Sequence, residues 1–300
     1  MYRAILVPID GSLPSEQSLP YAAALARRSG ADLRLAYVHT PLILAEGTLY
    51  LGTPDLQLWQ EEKKYLLDVV NRLKKMGVDN VSAHLLEGPI AETLQEQALG
   101  EKCDLVVMTT HGRGPMSRFW LGSVADQLVH RLPIPLLLIR TREETPSRVE
   151  EPEVRNILVA LDGTHAAEQI LEPVGNLAKL LGASCTLLRV VPPAAPHSMP
   201  SETAVGATLS DKLRGEAHVY LQRLAAALRD RGIGVQTRIL AHGYPATAIL
   251  SEAASGGYQM LALETHGRIG LPRLFLGSVA DKVVRGANLP ILVHRCLPDR

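Results

Sequence analysis

The stretch TTHGRGPMSRFWLGSVADQLVHRLPIPLLLIR, residues 109–140, returns as ETHGRIGLPRLFLGSVADKVVRGANLPILVHR, residues 264–295. The two align without a gap and roughly half the positions are identical, the mark of a tandem duplication. In each copy a polar, Gly-containing loop leads to a Gly-Ser helix start and then to a short apolar run. The repeat sets a plan for the chain: a first domain over residues 1–141, a charged, proline-containing linker over 142–153, and a second domain over 154–300.

Outward from the repeat, each half opens on an apolar run ending in Asp-Gly, AILVPIDGS from Ala4 and NILVALDGT from Asn156. Continuous β-rich runs of this kind fit strands covered on both faces, as in parallel sheets. Helical patterns follow over Ser15–Ser29 and Ala166–Leu181, stopped by Gly30 and Gly182. Second strands start near Leu33 and Thr186, and long helices span Asp55–Met76 and Leu209–Arg231. Third strands begin at Val81 and Val235, third helices at Pro89 and Pro245, and fourth strands at Asp104 and Met260. Helices from Ser123 and Ser278 and closing strands over Ile134–Arg140 and Ile291–Arg295 complete the unit. Strict strand–helix alternation predicts an α/β protein of two repeated doubly wound domains, each a parallel sheet flanked by four helices.

Composition narrows the class. A formal net charge of zero gives no basic footprint for nucleic acid. No apolar stretch approaches the roughly 20 residues that span a bilayer. The chain runs directly from MYRAILVPID into a strand, so no leader is expected. Cys103, Cys185 and Cys296 are widely spaced with no CxxC pair, which suits a reducing cytoplasm. Aromatics make up only 4% of residues, so the cores must be built from Leu, Val, Ile and Ala.

The chemistry concentrates in the repeated loop. Gly112 and Gly267 let backbone amides approach a ligand with no Cβ in the way. Gly122-Ser123 and Gly277-Ser278 sit where a helix starts, and the unpaired N–H groups and positive dipole end there bind phosphate. Asp10 and Asp162, at the ends of the first strands, would face the same crevice, beyond the carboxyl ends of the strands. A plainer reading stays open: Ser123-x-x-Asp126 and Ser278-x-x-Asp281 resemble capping boxes and would then need no ligand. His111 and His266 recur, but no second ligand recurs at metal-binding spacing, so loop packing is the simpler role. Arg113, Arg118, Arg268 and Arg273 are solvated loop residues or phosphate contacts. A Walker A sequence and a G-x-G-x-x-G after the first strand are both absent. Glu16, Glu61, Glu62, Lys63 and Lys64 read as solvated helix faces, and Cys103 and Cys185 as buried small hydrophobes.

Together the Asp-Gly-Ser/Thr strand end, the Thr-His-Gly loop and the LGSVAD helix start resemble the universal stress protein family in its tandem two-domain form. The resemblance implies five-stranded parallel sheets of order 3-2-1-4-5, and domains that pair through their fifth strands within one chain or between two copies. It also implies ATP or a related adenine nucleotide bound through G-x-x-G-x9-G-[ST], with any Mg2+ held mainly by the phosphates. Carried over by position, Asp10 and Val38 would hold base and sugar in the first half. Met108, Thr109, Thr110, His111 and Gly112 would line the ribose and phosphate path, and Gly122, Ser123, Val124 and Ala125 would seat the phosphates. The matching set in the second half is Asp162, Val190, Leu263, Glu264, Thr265, His266, Gly267, Gly277, Ser278, Val279 and Ala280. Thr109 and Glu264 stand where the family motif has its first glycine, and Pro8 is matched by Ala160. A glutamate there brings negative charge towards a polyphosphate, so the first site is expected to bind more tightly than the second. The implied function is a nucleotide-dependent stress-response or signalling module, with at most weak ATP hydrolysis. The alternatives are an interaction scaffold with degenerate sites and a slow ATPase.

Overall fold

A computed structural model describes residues 2–41, 53–110, 121–141, 151–193, 203–265 and 277–295. The chain divides into two compact units, Met1–Pro152 and Glu153–Arg300. In the first, β1 (Ala4–Pro8), β2 (Asp32–His39), β3 (Val81–Glu87), β4 (Leu105–Thr109) and β5 (Leu136–Ile139) run parallel in the order β3-β2-β1-β4-β5. In the second, β6 (Asn156–Leu161), β7 (Ser184–Val191), β8 (Val235–Ala241), β9 (Met260–Glu264) and β10 (Ile291–His294) repeat it as β8-β7-β6-β9-β10. Both follow the 3-2-1-4-5 order, whose reversal between the first and fourth strands opens a crevice at their carboxyl ends.

Hydrophobic pattern explains which strands are central. Every residue of β1, β4 and β9 is buried, because helices cover both faces. On the edge strands β3 and β8, exposed and half-buried positions predominate. The largest fully buried side chains are Leu and Ile, among them Ile5, Leu33, Leu105, Leu137 and Ile157, in keeping with the scarcity of aromatics.

The helices are α1 (Leu13–Glu16), α2 (Leu19–Ser29), α3 (Thr53–Lys75), α4 (Ile90–Gly100) and α5 (Ser123–Arg131) in the first unit. The second has α6 (His165–Glu168), α7 (Leu171–Leu181), α8 (Thr203–Arg229), α9 (Pro245–Ser255) and α10 (Ser278–Gly286). The single helices expected over Ser15–Ser29 and Ala166–Leu181 are each broken into two. Pro20 cannot donate to the carbonyl four residues back at Glu16, nor Pro173 to that of Gln169, so the helix is interrupted there and restarts at Leu19 and Leu171, just ahead of each proline. The expected stops hold: Gly30 (φ 71°) and Gly182 (φ 68°) take the left-handed conformation that ends α2 and α7. Helix α8 starts at Thr203, six residues ahead of the expected Leu209, since Ala204 and Ala207 favour helix even without an apolar stripe.

Two acidic residues expected on solvated faces are instead tied down. The buried stripe of α3 runs through Leu66, Val69 and Leu73, and Glu62 falls on it. Its carboxylate lies 2.6 Å from Nδ1 of His39, itself buried at the end of β2. The other ring nitrogen lies 3.4 Å from Asp55 Oδ1, and Trp59 packs edge-on to the imidazole at 5.1 Å. Glu16 accepts from Tyr65 Oη (2.8 Å) and from both Nη atoms of Arg72 (2.8 and 2.7 Å), which docks α1 onto α3. Burial pushes the Glu16 carboxyl up, but the hydrogen bonds from Arg72 and Tyr65 and the Arg72 charge outweigh it, and the pKa is lowered. In the second unit Arg223 makes the matching bond to Glu168 at 2.6 Å.

Candidate functional site

Each first strand ends in a turn built by its own aspartate. Asp10 Oδ1 accepts from the Ser12 amide (3.0 Å) and hydroxyl (2.6 Å), and Asp162 Oδ1 accepts from the Thr164 amide (2.9 Å) and hydroxyl (2.6 Å). Ser12 and Thr164 in turn cap α1 and α6. The intervening Gly163 has φ 90°, a left-handed conformation that favours glycine, and the Arg189 guanidinium lies over the position a Cβ would take.

The repeated loop is closed at its base by the same pair of bonds in both units. Thr110 donates its amide to Ile139 O (2.9 Å) and accepts at its carbonyl from the Gly122 amide (2.8 Å). Thr265 donates to His294 O (3.0 Å) and accepts from the Gly277 amide (3.0 Å). These bonds bring the starts of α5 and α10 to the ends of β4 and β9. The capping alternative fails on register. Gly122 and Gly277 occupy the N-cap position, which has no side-chain cap, while Ser123 and Ser278 are already the first helical residues. Helical bonding begins with Asp126 to Gly122 O (2.8 Å) and Asp281 to Gly277 O (2.9 Å). The amides of Ser123, Val124 and Ala125, and of Ser278, Val279 and Ala280, precede it and have no acceptor within their helices. They form an electropositive end of the kind that favours an anion.

In the second unit a cavity of about 580 Å³ lies over this edge of the sheet. It gathers Asp162, Val190, Leu263, Glu264, Thr265, Gly277, Ser278, Val279 and Ala280, nine of the eleven residues expected there. His266 and Gly267 lie outside the described residues, as do His111, Gly112, Arg113, Arg118, Arg268, Arg273 and Cys296. In the first unit Asp10 follows β1, Val38 is the last residue but one of β2, in register with Leu86, Met108 and Thr109 end β4, and Thr110 and Gly122 lead to Ser123, Val124 and Ala125 at the start of α5. Sequence reading passed over Arg189, His242 and Pro245, which also line the second cavity. A signal for the last two existed: glycine after the third strand recurs as Gly88 and Gly243. Arg189 has no such signal, since Tyr37 occupies its place in the first half; its guanidinium lies 5.2 Å from the Tyr220 ring centroid.

The two halves differ most at the first motif position. Thr109 stands in register with Ile139, whereas Glu264 stands in register with His294. Glu264 Oε2 lies 2.9 Å from His294 Nδ1, and Oε1 accepts from the Thr265 amide at 3.2 Å. Its side chain is 1% exposed. The carboxylate is therefore held against an imidazole at the cavity wall, an arrangement invisible from the motif alone.

Comparison with known proteins agrees with this geometry. The family model described as the universal stress protein family matches residues 1–140 and again 153–295. A universal stress protein of Mycobacterium tuberculosis is 26% identical over 305 residues, covering 98% of this chain and 97% of that protein. One from Thermus aquaticus is 33% identical over 145 residues, 47% of this chain and all of the relative. Among solved structures, a universal stress protein from Archaeoglobus fulgidus superposes with a TM-score of 0.68 at 20% identity, covering 97% of this chain and 98% of that one. A putative universal stress protein from Pseudomonas aeruginosa gives 0.69 at 17% identity, covering 98% and 93%. With both halves matched by the family model and the sheet order repeated in each, the chain belongs to the universal stress protein family.

Proposed function

We propose that this protein binds an adenine nucleotide, ATP in the first instance, in each half, and that occupancy serves a stress-response or signalling role. The reading takes residues 1–141 and 154–300 as the two binding domains and 142–153 as their linker. The observation that carries it is the second-unit cavity, where helix amides, the Asp162 turn and the end of β7 at Val190 converge. Its volume of about 580 Å³ suits a ligand of nucleotide size. The phosphates would sit against the amides of Ser278, Val279 and Ala280, which lower their energy through N–H bonds and the helix dipole. Glycine at 277 puts no side chain at the head of α10, beside those amides. The base and sugar would lie towards Val190 and Asp162. In the first half Val38, Asp10 and the amides of Ser123, Val124 and Ala125 would act alike. Uncharged Thr109 makes that seat the tighter of the two. Any Mg2+ would arrive with the phosphates, because it usually bridges phosphate oxygens and keeps waters. Buried, unpaired Cys103 and Cys185 suit a cytoplasmic setting.

The test is nucleotide content. Freshly purified protein is denatured and the released small molecules are separated by anion exchange; calorimetry then titrates ATP into stripped protein. Release or rebinding of an adenine nucleotide is the expected result. Neither release nor rebinding would refute the reading and favour a scaffold with degenerate sites.

A further inference from the structure

The pair formed by Glu264 and His294 is specific to the second half. We infer that it sets the charge of the ligand which the second seat accepts, with His294 as the positioning and neutralising residue. This inference rests on the nucleotide reading and deepens it. The 2.9 Å contact to His294 and the bond from the Thr265 amide hold the carboxylate in place at the cavity wall, with its side chain 1% exposed. It acts through its charge. The same Thr265 also fixes the Gly277 amide at the head of α10, so the pair stands directly behind the anion seat.

A buried carboxylate paired with an imidazolium contributes no net charge, whereas one beside a neutral side chain contributes a full negative charge. One such charge within roughly 8–10 Å of a phosphate, at an effective dielectric near 20, weakens anion binding on the order of tenfold. The loss grows with each phosphate charge on the ligand. The first seat, with Thr109 beside Ile139, has no such pair at this position. Other charged groups surround the second seat: Asp162, Arg189 and His242 on the cavity wall, His165 and Glu168 on α6 packed against β9, and the Asp281–Arg285 pair on α10. They stay unchanged in the variants below and cancel from the comparison.

The experiment uses the full chain carrying Gly122→Val, so that the second seat alone is titrated, with AMP, ADP and ATP by calorimetry at one fixed pH. The ratio of variant to parent affinity for each ligand is what is read. His294→Gln keeps a hydrogen-bond donor to Glu264 but no charge. It is expected to weaken ATP about tenfold or more and AMP least. Glu264→Thr with His294→Ile writes the first-half pair into the second half and guards against misfolding of the single variant; it is expected to restore ATP binding. Equal losses for AMP and ATP, or a His294→Gln variant that binds ATP as the parent does, would overturn the inference while leaving the nucleotide reading intact. No binding of any nucleotide to the unmodified chain overturns both.

Discussion

Replacing His39 by valine tests how the first unit tolerates buried charge beside its ligand edge. His39 sits between Glu62 at 2.6 Å and Asp55 at 3.4 Å, with side-chain exposures of 2%, 8% and 12%. Removing the imidazole takes from the buried Glu62 carboxylate its partner at 2.6 Å, and deleting one partner of a buried pair costs about 3–5 kcal/mol. Against a typical domain stability of roughly 5–15 kcal/mol that is a large fraction. The second unit shows the relief: Val191 and Ala217, both buried, hold the places corresponding to His39 and Glu62. The double variant His39→Val with Glu62→Ala should therefore lose clearly less than the sum of the single changes, with a coupling energy of about 2 kcal/mol or more. Both tryptophans, Trp59 and Trp120, lie in the first unit, so fluorescence during urea unfolding reads that unit separately. His39→Val costing under about 1 kcal/mol, or a strictly additive double variant, would show that the imidazole is not compensating charge. Since His39 directly follows Val38, the same variant should also weaken nucleotide binding in the first half.

Three further outcomes are expected. Gly277→Val puts a branched side chain at the N-cap of α10, beside the amides of Ser278, Val279 and Ala280, and should lower ATP affinity at the second seat at least tenfold by calorimetry. Glu16→Gln should cost about 1 kcal/mol at neutral pH; because the folded pKa of Glu16 is lowered, that contribution exists above the ordinary carboxylate range and disappears as pH falls through the folded value, so the two urea midpoints should converge in acid. Burial pushes the Cys185 thiol up to about 12 despite the nearby Arg231 charge, and burial likewise raises Cys103. Mass spectrometry should find both resistant to iodoacetamide at about pH 8 until the chain is unfolded.

The parts of this architecture that depend on neighbouring residues could be read from the sequence. Asp10 and Asp162 build their own turns, Gly30 and Gly182 stop their own helices, and Gly122 and Gly277 announce a helix start, so strand ends and loop bases stood out together. The helix breaks were also local, but apolar periodicity outweighed Pro20 and Pro173 when the pattern was read. What escaped were pairings across the fold. Glu62 reads as a surface acid until His39, on another element, turns out to face it, and Glu264 reads as repulsive until the register of β9 and β10 sets His294 beside it. The cap reading of Ser123 and Ser278 missed by one position, and that position separates an amide closed off by its own side chain from one available to a guest.

The bond from the Gly122 amide to Thr110 O gives the chain a fixed bracket around the segment 111–121. Apart from Leu121, which is buried in the core, the sequence inside the bracket can change while that bond keeps both posts in place. A lineage can in this way retune which molecule is recognised by rewriting one short insert, while the strand, the helix and the spacing between them are inherited intact.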